Sequence, residues 1–94
     1  MYVLALSVEL LVPAAHSLKE KRMVVLSIVQ AARQRYRVAA AEVGFQDKWQ
    51  RTALGFAAVA ESARHASDVI DEVERFVWSR PDVEVAATER RWLE

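Results

Sequence analysis

The sequence contains no cysteine, only two glycines and two prolines, and no excess charge of either sign. The absence of cysteine excludes a disulfide scaffold, a thiolate metal site and a cysteine nucleophile. Two isolated glycines cannot form a glycine-rich phosphate loop. Two histidines without cysteine make a poor transition-metal site, and no Ser-His-Asp arrangement is evident. We therefore expect no cofactor, no metal and no enzymatic activity.

Long hydrophobic runs are also missing. The first twelve residues are apolar, but Glu9 interrupts them and no basic segment precedes them, so we expect neither a membrane span nor a signal peptide. The chain has 94 residues, of which 53% are hydrophobic and 28% are charged. These values are typical of one folded domain, spanning residues 1–94, and not of a disordered chain. We expect a soluble, cytoplasmic protein that does not contact membranes.

The zero net charge hides an asymmetry. Residues 1–60 hold eight basic and four acidic residues, whereas residues 61–94 hold five basic and nine acidic residues. The two parts therefore differ in charge, at +4 and −4. Such a charge dipole can steer a nucleic acid to one side or pair two copies head to tail, and two solvated helix faces of different sign explain it equally well.

Hydrophobic periodicity predicts six elements, because strands alternate with a period of two and helices with a period of 3.6. Ser17 with Glu20 forms a capping box and Ser62 caps a second helix, while Pro13 and Pro81 end the elements before them. We predict a strand at 2–12, a helix from Ser17 to Tyr36, strands at 38–46 and 50–60, a helix at about 63–80 and a strand at 83–88.

The predicted order, β-α-β-β-α-β, favours an α+β ferredoxin-like fold. In this arrangement a four-stranded antiparallel sheet of order 4-1-3-2 carries both helices on one face. If the even residues of the first strand face the helices, the open face shows Val3, Ala5, Ser7, Glu9, Ala53, Gly55, Ala57 and Val59 centrally, with Val38, Ala40, Glu42, Gly44, Glu84, Ala86, Thr88 and Arg90 at the edges. A slip of one residue would instead expose Tyr2 and Phe56, which would favour RNA stacking.

The open face in the first register is small, flat and weakly polar. It lacks the aromatic residues on which bases stack in RNA-recognition sheets. Small residues suit close approach by another sheet or helix, so we expect a homodimer through the open sheet face or a sheet edge.

Basic residues are concentrated at the start of the first helix, in the segment HSLKEKR. Cations are unfavourable at a helix N-terminus unless an anion binds there. We therefore consider Lys19, Lys21 and Arg22, with Arg51 as an addition, as residues that contact RNA or another anion. The alternative is a solvated face tied by Glu20.

The loop QDKWQR holds a tryptophan near the tip of the predicted hairpin. Exposing an indole is costly, because this side chain can bury about 150–250 Å². Trp49, with Gln46 and Asp47 beside it, would contact a partner, or Trp49 would fold back over its own core. The second alternative is slightly favoured.

Two segments, HSLKEKR at 16–22 and AEVGFQDKWQRTALGFAAVA at 41–60, resemble the small bacterial family of unknown function called DUF503, or YlxP-like. The resemblance implies a ferredoxin-like fold and no established enzymatic activity. The family's genes often lie beside those for a translation initiation factor and a ribosome-binding factor, which implies a role near the ribosome or RNA. The residues that match the family pattern are 16–22, Glu42, Gly44, Gln46, Asp47, Trp49, Gln50 and Arg51.

Two functions follow from these observations. The first is a non-catalytic accessory factor of translation that contacts RNA or the ribosome through the basic helix start and the hairpin. The second is a homodimeric protein-binding module without nucleic-acid contact.

Overall fold

The computed structural model describes residues 1–94 and contains four strands and two helices. In chain order they are β1 (Tyr2–Leu11), α1 (Leu18–Tyr36), β2 (Ala39–Gly44), β3 (Arg51–Ala60), α2 (Ala63–Trp78) and β4 (Glu84–Trp92). The sheet is antiparallel with the order β2-β3-β1-β4. This is the predicted order 4-1-3-2 viewed from the other edge, so the ferredoxin-like topology is confirmed. β4 continues four residues beyond its predicted end.

Both helices begin at the predicted serine caps. The hydroxyl of Ser17 accepts a hydrogen bond from the backbone N–H of Glu20 at 3.1 Å, and Ser62 accepts one from His65 at 3.1 Å. The carboxylate of Glu20 reaches back to the backbone N–H of His16 at 3.2 Å. These contacts satisfy N–H groups that a helix start leaves without partners.

The core lies between the sheet and the helices. The even residues of β1, from Leu4 to Leu10, are at most 2% exposed. They pair with β3 residues that are also buried, such as Phe56 opposite Leu6 and Leu54 opposite Val8. From the helix layer the core takes Val25, Ile28, Val29, Ala32, Ala66, Ile70, Val73, Phe76 and Val77. Each fully buried aliphatic side chain stabilises the fold by about 1.5–3 kcal/mol.

The open face of the two central strands is as predicted. Val3, Ala5 and Ser7 pair with Val59, Ala57 and Gly55, and Glu9 pairs with Ala53. These side chains lie on the side of the sheet away from the helices, because successive side chains of a strand point to opposite faces.

The predicted open face of β2 is wrong for most of its length. Ala40 pairs with the buried Phe56, and Glu42 pairs with the buried Leu54, so both face the helices. Val38, just before the strand, is also buried. The register shifts between Glu42 and Gly44. This bulge inserts Val43, and a strand with an extra residue changes which side chains face each side. Only Gly44 keeps its predicted side.

The predicted open face of β4 is wrong in its second half for the same reason. Glu84 lies opposite Leu11 as expected, but a register shift follows and leaves Ala86 without a partner. Beyond it, Thr88 pairs with Val8 and Arg90 with Leu6, so both face the helices. The open side therefore carries Ala87, Glu89 and Arg91.

Two arginines, one in β4 and one in the segment before it, form hydrogen bonds to the helices or to a neighbouring carboxylate. Arg90 donates hydrogen bonds to Asp71 at 2.8 Å and to Glu74 at 3.3 Å. Partial burial acts against the charged guanidinium, but these two carboxylates outweigh it and raise the pKa of Arg90. Before the strand, Arg80 donates to both carboxylate oxygens of Asp82, at 2.7 and 3.0 Å, and to the hydroxyl of Ser27.

Candidate functional site

The basic residues at the start of α1 do not share one environment. Lys19 and Arg22 are exposed, whereas Lys21 is fully buried. Its ammonium donates to the backbone carbonyl of Phe45 at 2.7 Å and to that of Arg51 at 3.3 Å, and it lies 3.0 Å from a carboxylate oxygen of Glu42. The prediction that Lys21 contacts RNA is therefore wrong, because three oxygens of its own chain surround the charge.

Lys21 belongs to a buried polar network. The same oxygen of Glu42 accepts a hydrogen bond from the hydroxyl of Thr52 at 2.6 Å, and Thr52 is fully buried. No buried side-chain nitrogen or oxygen lacks a hydrogen-bond partner. A buried charge is costly unless it is paired and hydrogen-bonded, and here both conditions are met. The network fixes α1 against both ends of the β2–β3 loop.

The spacing of α1 contains the signal for this burial. Lys21 lies four residues before Val25 and seven before Ile28, so it continues the apolar stripe of the helix toward its start. A lysine in that stripe, followed by a glutamate on a paired strand, indicates a buried ion pair. Net charge alone does not distinguish it from its exposed neighbours.

Gln50 makes a second connection, which its residue type and position in the sequence do not predict. Its side-chain amide donates to the carbonyls of Pro13, at 3.3 Å, and Ala15, at 3.1 Å. The backbone carbonyl of Gln50 accepts a hydrogen bond from the backbone N–H of Val12 at 2.9 Å. The β1–α1 loop and the β2–β3 loop are thus tied together. We call residues 12–22 and 42–51, taken together, the hairpin end.

Arg51 is half-exposed and combines two contacts. Its guanidinium lies 2.8 Å from a carboxylate oxygen of Glu9, and it stacks on the ring of Phe45 with its central carbon 4.5 Å from the ring centre. Phe45 itself has a left-handed backbone with φ of 59°, which costs a residue other than glycine about 1–2 kcal/mol. Its carbonyl accepts from both Lys21 and the backbone N–H of Lys48, and these bonds offset the strain.

Trp49 does not fold back over the core, so the slightly favoured alternative is wrong. It is 51% exposed. It lines a shallow depression of about 610 Å³ with Leu11, Phe45, Lys48, Gln50 and Arg51. Gln46 and Asp47 are exposed at the turn beside it. The tip of the hairpin therefore presents an indole, and the cations Lys48 and Arg51 line the same depression.

The open sheet face holds a second depression, of about 580 Å³. Its floor consists of small residues, including Ala5, Ser7, Gly55 and Ala57, and its β4 side carries Glu89 and Arg91. No aromatic side chain stands on the open side of the two central strands there, which is unlike a sheet that stacks RNA bases.

The rest of the molecule offers few candidates for a metal site or a catalytic site. No group of three or more histidine, cysteine, aspartate or glutamate side chains is arranged to hold a metal ion. His65 lies 3.8 Å from Glu61 at the start of α2, and His16 is exposed before α1. No helix combines the length and the hydropathy needed to cross a lipid bilayer.

Comparison with known proteins decides the family. The model of the family described as "Protein of unknown function (DUF503)" matches residues 3–90. This chain belongs to the DUF503 family. It is similar to the uncharacterized protein YlxP of Bacillus subtilis (strain 168), with 37% identity over 85 residues that cover 90% of this chain and 92% of that protein.

The fold of this DUF503 protein also has a solved counterpart. A de novo designed protein with a ferredoxin fold, solved by solution NMR, superposes with a TM-score of 0.55 and 13% sequence identity, covering 100% of this chain and 87% of the design. At this identity the likeness concerns the fold alone. The two segments that resemble the family, 16–22 and 41–60, meet in the structure at the hairpin end, through the contacts of Lys21 with Glu42 and with the backbone carbonyls of Phe45 and Arg51.

Proposed function

We propose that this protein is a non-catalytic accessory factor of translation that contacts unpaired RNA, alone or on the ribosome, through the hairpin end. The observation that carries the proposal is the exposed indole of Trp49, which shares a depression with Lys48 and Arg51 on a loop held by the buried side chain of Lys21. A role on the ribosome would place the protein in the cytoplasm.

The chemistry of the hairpin end suits single-stranded nucleic acid. Aromatic side chains stack on bases, and cations contact the phosphates between them. Trp49 supplies the first contact, while Lys48, Lys19 and Arg22 are exposed cations without an ion-pair partner in the chain. Arg51 is partly neutralised by Glu9, so we assign it a smaller share of phosphate binding.

The loop is also ordered before any ligand arrives. Lys21 and Gln50 together donate to four backbone carbonyls of the two loops that form the hairpin end. A surface that is already ordered loses less conformational entropy on binding. The hairpin end therefore supports recognition by a preformed shape and not by folding on the RNA.

Binding of a labelled single-stranded RNA, and co-sedimentation with ribosomes, at two salt concentrations tests the proposal. Trp49→Ala should weaken binding about fivefold to 150-fold, since stacking contributes about 1–3 kcal/mol per base. Trp78→Ala is the matched control, because Trp78 is 59% exposed on α2, outside the hairpin end. Equal affinity of wild type and Trp49→Ala would contradict the proposal.

A double variant tests the cations. Lys19→Ala with Arg22→Ala removes two cations and should lower the slope of log affinity against log salt by about 1.4, since each phosphate contact on a single strand contributes about 0.7. Arg64→Ala with Arg75→Ala removes the same charge from the exposed side of α2 and should leave the slope unchanged. Lys21 is not suitable for this test, because its replacement disturbs the loop itself.

A second function is favoured by the depression on the open sheet face. Its floor of small residues allows a helix or sheet of another protein to approach closely. On this alternative the protein is a protein-binding module without nucleic-acid contact. If wild-type protein binds neither RNA nor ribosomes at low salt, the alternative replaces the first proposal.

A further inference from the structure

The outer edge of β4 is unpaired along nine residues, Glu84–Trp92. An unpaired edge strand presents a row of backbone donors and acceptors to which another strand can add. β4 carries exposed charges of both signs and the exposed apolar residue Trp92, followed by Leu93. Its side-chain order indicates what kind of strand would fit.

The backbone pattern identifies the groups that point outward. The N–H of Leu93 donates to the carbonyl of Val3 at 2.9 Å, toward β1. Successive residues of an antiparallel strand direct their backbone groups to alternate sides. Ala87, Glu89 and Arg91 therefore pair with β1, whereas the even residues Thr88, Arg90 and Trp92 direct theirs outward.

The odd residues of this segment form a self-complementary order on the open face. If two copies of β4 meet antiparallel with Arg90 opposite Arg90, then Glu89 faces Arg91 of the second copy and Ala87 faces its Leu93. Glu89 and Arg91 make no ion pair within the chain. Both would gain an opposite charge, and each Leu93, now 52% exposed, would gain an apolar neighbour.

We propose that the protein forms a two-fold dimer in which the β4 edges pair about Arg90 and join the two sheets into one of eight strands. The occupant of the β4 edge is thus a second copy of this chain. Because the axis is perpendicular to the sheet, both helix layers lie on one side and both open faces form one continuous surface on the other.

Charge decides the register. Pairing about Glu89 would place two glutamates opposite each other, which is destabilising. Pairing about Thr88 would leave Glu89 opposite Ala87, without an opposite charge. Pairing about Arg90 places two arginines together on the helix side, but each is already hydrogen-bonded to Asp71 and Glu74, so four carboxylates surround two guanidinium groups.

Sedimentation equilibrium on four variants tests the dimer. Glu89→Arg and Arg91→Glu each convert two attractive cross-strand pairs into repulsive ones and should weaken dimerisation about tenfold or more. The double swap Glu89→Arg with Arg91→Glu restores opposite charges at both pairs and should recover the wild-type dissociation constant. Glu84→Arg is the matched control, because Glu84 lies on the same strand face but outside the paired segment.

Mixing two charge variants provides a test that a loss of folding in either variant cannot imitate. A chain with Glu89→Arg and a chain with Arg91→Glu are each repulsive to themselves but complementary to each other. The mixture should form a heterodimer, while each variant alone is monomeric at the same concentration. A monomeric wild type throughout the micromolar range, or single variants that dimerise as tightly as wild type, would overturn the proposal.

Discussion

The two edges of the sheet are finished in different ways. At the β2 edge, side chains of α1 reach across to the strand and its loop: Lys21 pairs with Glu42, and Arg33 donates to the carbonyl of Ala40 at 2.6 Å. At the β4 edge the contacts come from partly buried arginine–carboxylate pairs, and the outer backbone is unpaired. The β2 side holds a fixed loop, and the β4 side leaves a strand available for pairing.

The difference follows from where each edge lies under the helices. Glu42 and Thr52 face α1 beneath its first turns, so a polar group there must be satisfied inside the protein. Residues of β4 are exposed along almost the whole strand, so its charges stay open to solvent even where one of them, Arg90, is paired with carboxylates of α2. A buried pair therefore determines structure on the β2 side, whereas solvated charges on the β4 side are available to a partner.

The largest effect should come from breaking the buried pair. Lys21→Met leaves the Glu42 carboxylate without its cation in a buried site and should lower the free energy of unfolding by about 3–5 kcal/mol. Denaturant unfolding at neutral pH measures this loss. Adding Glu42→Gln should recover part of it, because no unpaired charge then remains.

Lys19→Met is the control for that experiment. Lys19 lies two residues before Lys21 in the first turn of α1 and is exposed. Its replacement should change the free energy of unfolding by no more than about 0.5 kcal/mol. If Lys21→Met is as mild as Lys19→Met, the buried network does not hold the hairpin end.

These residues also show what sequence patterns determine. The hydrophobic alternation of β1 and the apolar stripe of α2 are long and uninterrupted, so they predicted the fold and the register of the two central strands. The edge strands each contain one bulge, after Glu42 and after Val85, and a bulge carries no reliable signal in a short alanine-rich segment. Their faces were therefore predicted incorrectly.

The candidate site was predictable in part. Spacing and composition identified the helix start and the hairpin, and the helical stripe contains the signal that Lys21 is buried, but neither gives the carbonyl partners of Lys21 and Gln50. Both contacts join residues at least 24 positions apart, and such long-range pairs depend on the assembled fold. Trp49 was found because of its residue type, while its exposure depends on the loop conformation.

The next effect concerns the bulge that ends the β2 edge. A Cβ added at Gly44 would lie 3.1 Å from the Cβ of Ala53, which cannot rotate away. Gly44→Ala should therefore lower the free energy of unfolding by about 1–2 kcal/mol through overpacking. At Gly55 the added Cβ would lie 3.2 Å from the side chain of Val43, which is 58% exposed and free to turn.

Gly55→Ala thus serves as the matched comparison. The small clash is offset by the reduced freedom of the unfolded chain, so the net change should stay within about 0.5 kcal/mol. Thermal or denaturant unfolding of the two variants side by side measures the difference. A larger loss at Gly55 than at Gly44 would show that the open face tolerates less than the bulge.

A smaller effect is expected at the other α1 contact with β2. Arg33→Met removes the hydrogen bond to the carbonyl of Ala40 and should cost about 1 kcal/mol. Amide hydrogen exchange in β2 should become faster, because the edge loses its side-chain partner. Gln34→Met, at the next exposed position of α1, should leave both quantities unchanged.

The smallest effect should come from the partly exposed pair Arg80–Asp82 before β4, whose contribution to stability depends on pH. Hydrogen bonds from Arg80 hold the pKa of Asp82 below its ordinary value of 3.8, despite partial burial that acts in the opposite direction. A carboxyl whose pKa is lower in the folded state stabilises the fold above its unfolded pKa. That contribution is lost as the pH falls through the folded pKa.

Asp82→Asn should therefore lower the free energy of unfolding at pH 7 by no more than about 1 kcal/mol, because the carboxylate is 37% exposed and solvent screens the pair. The difference from wild type should shrink as the pH drops below 3.8, since the wild-type carboxyl then becomes neutral too. Urea unfolding at neutral and acidic pH measures both values, with Asp47→Asn as the control at an exposed carboxylate that makes no ion pair. A difference that grows on acidification would mean that Asp82 is stabilised in its protonated form and that the Arg80 pair does not anchor the start of β4.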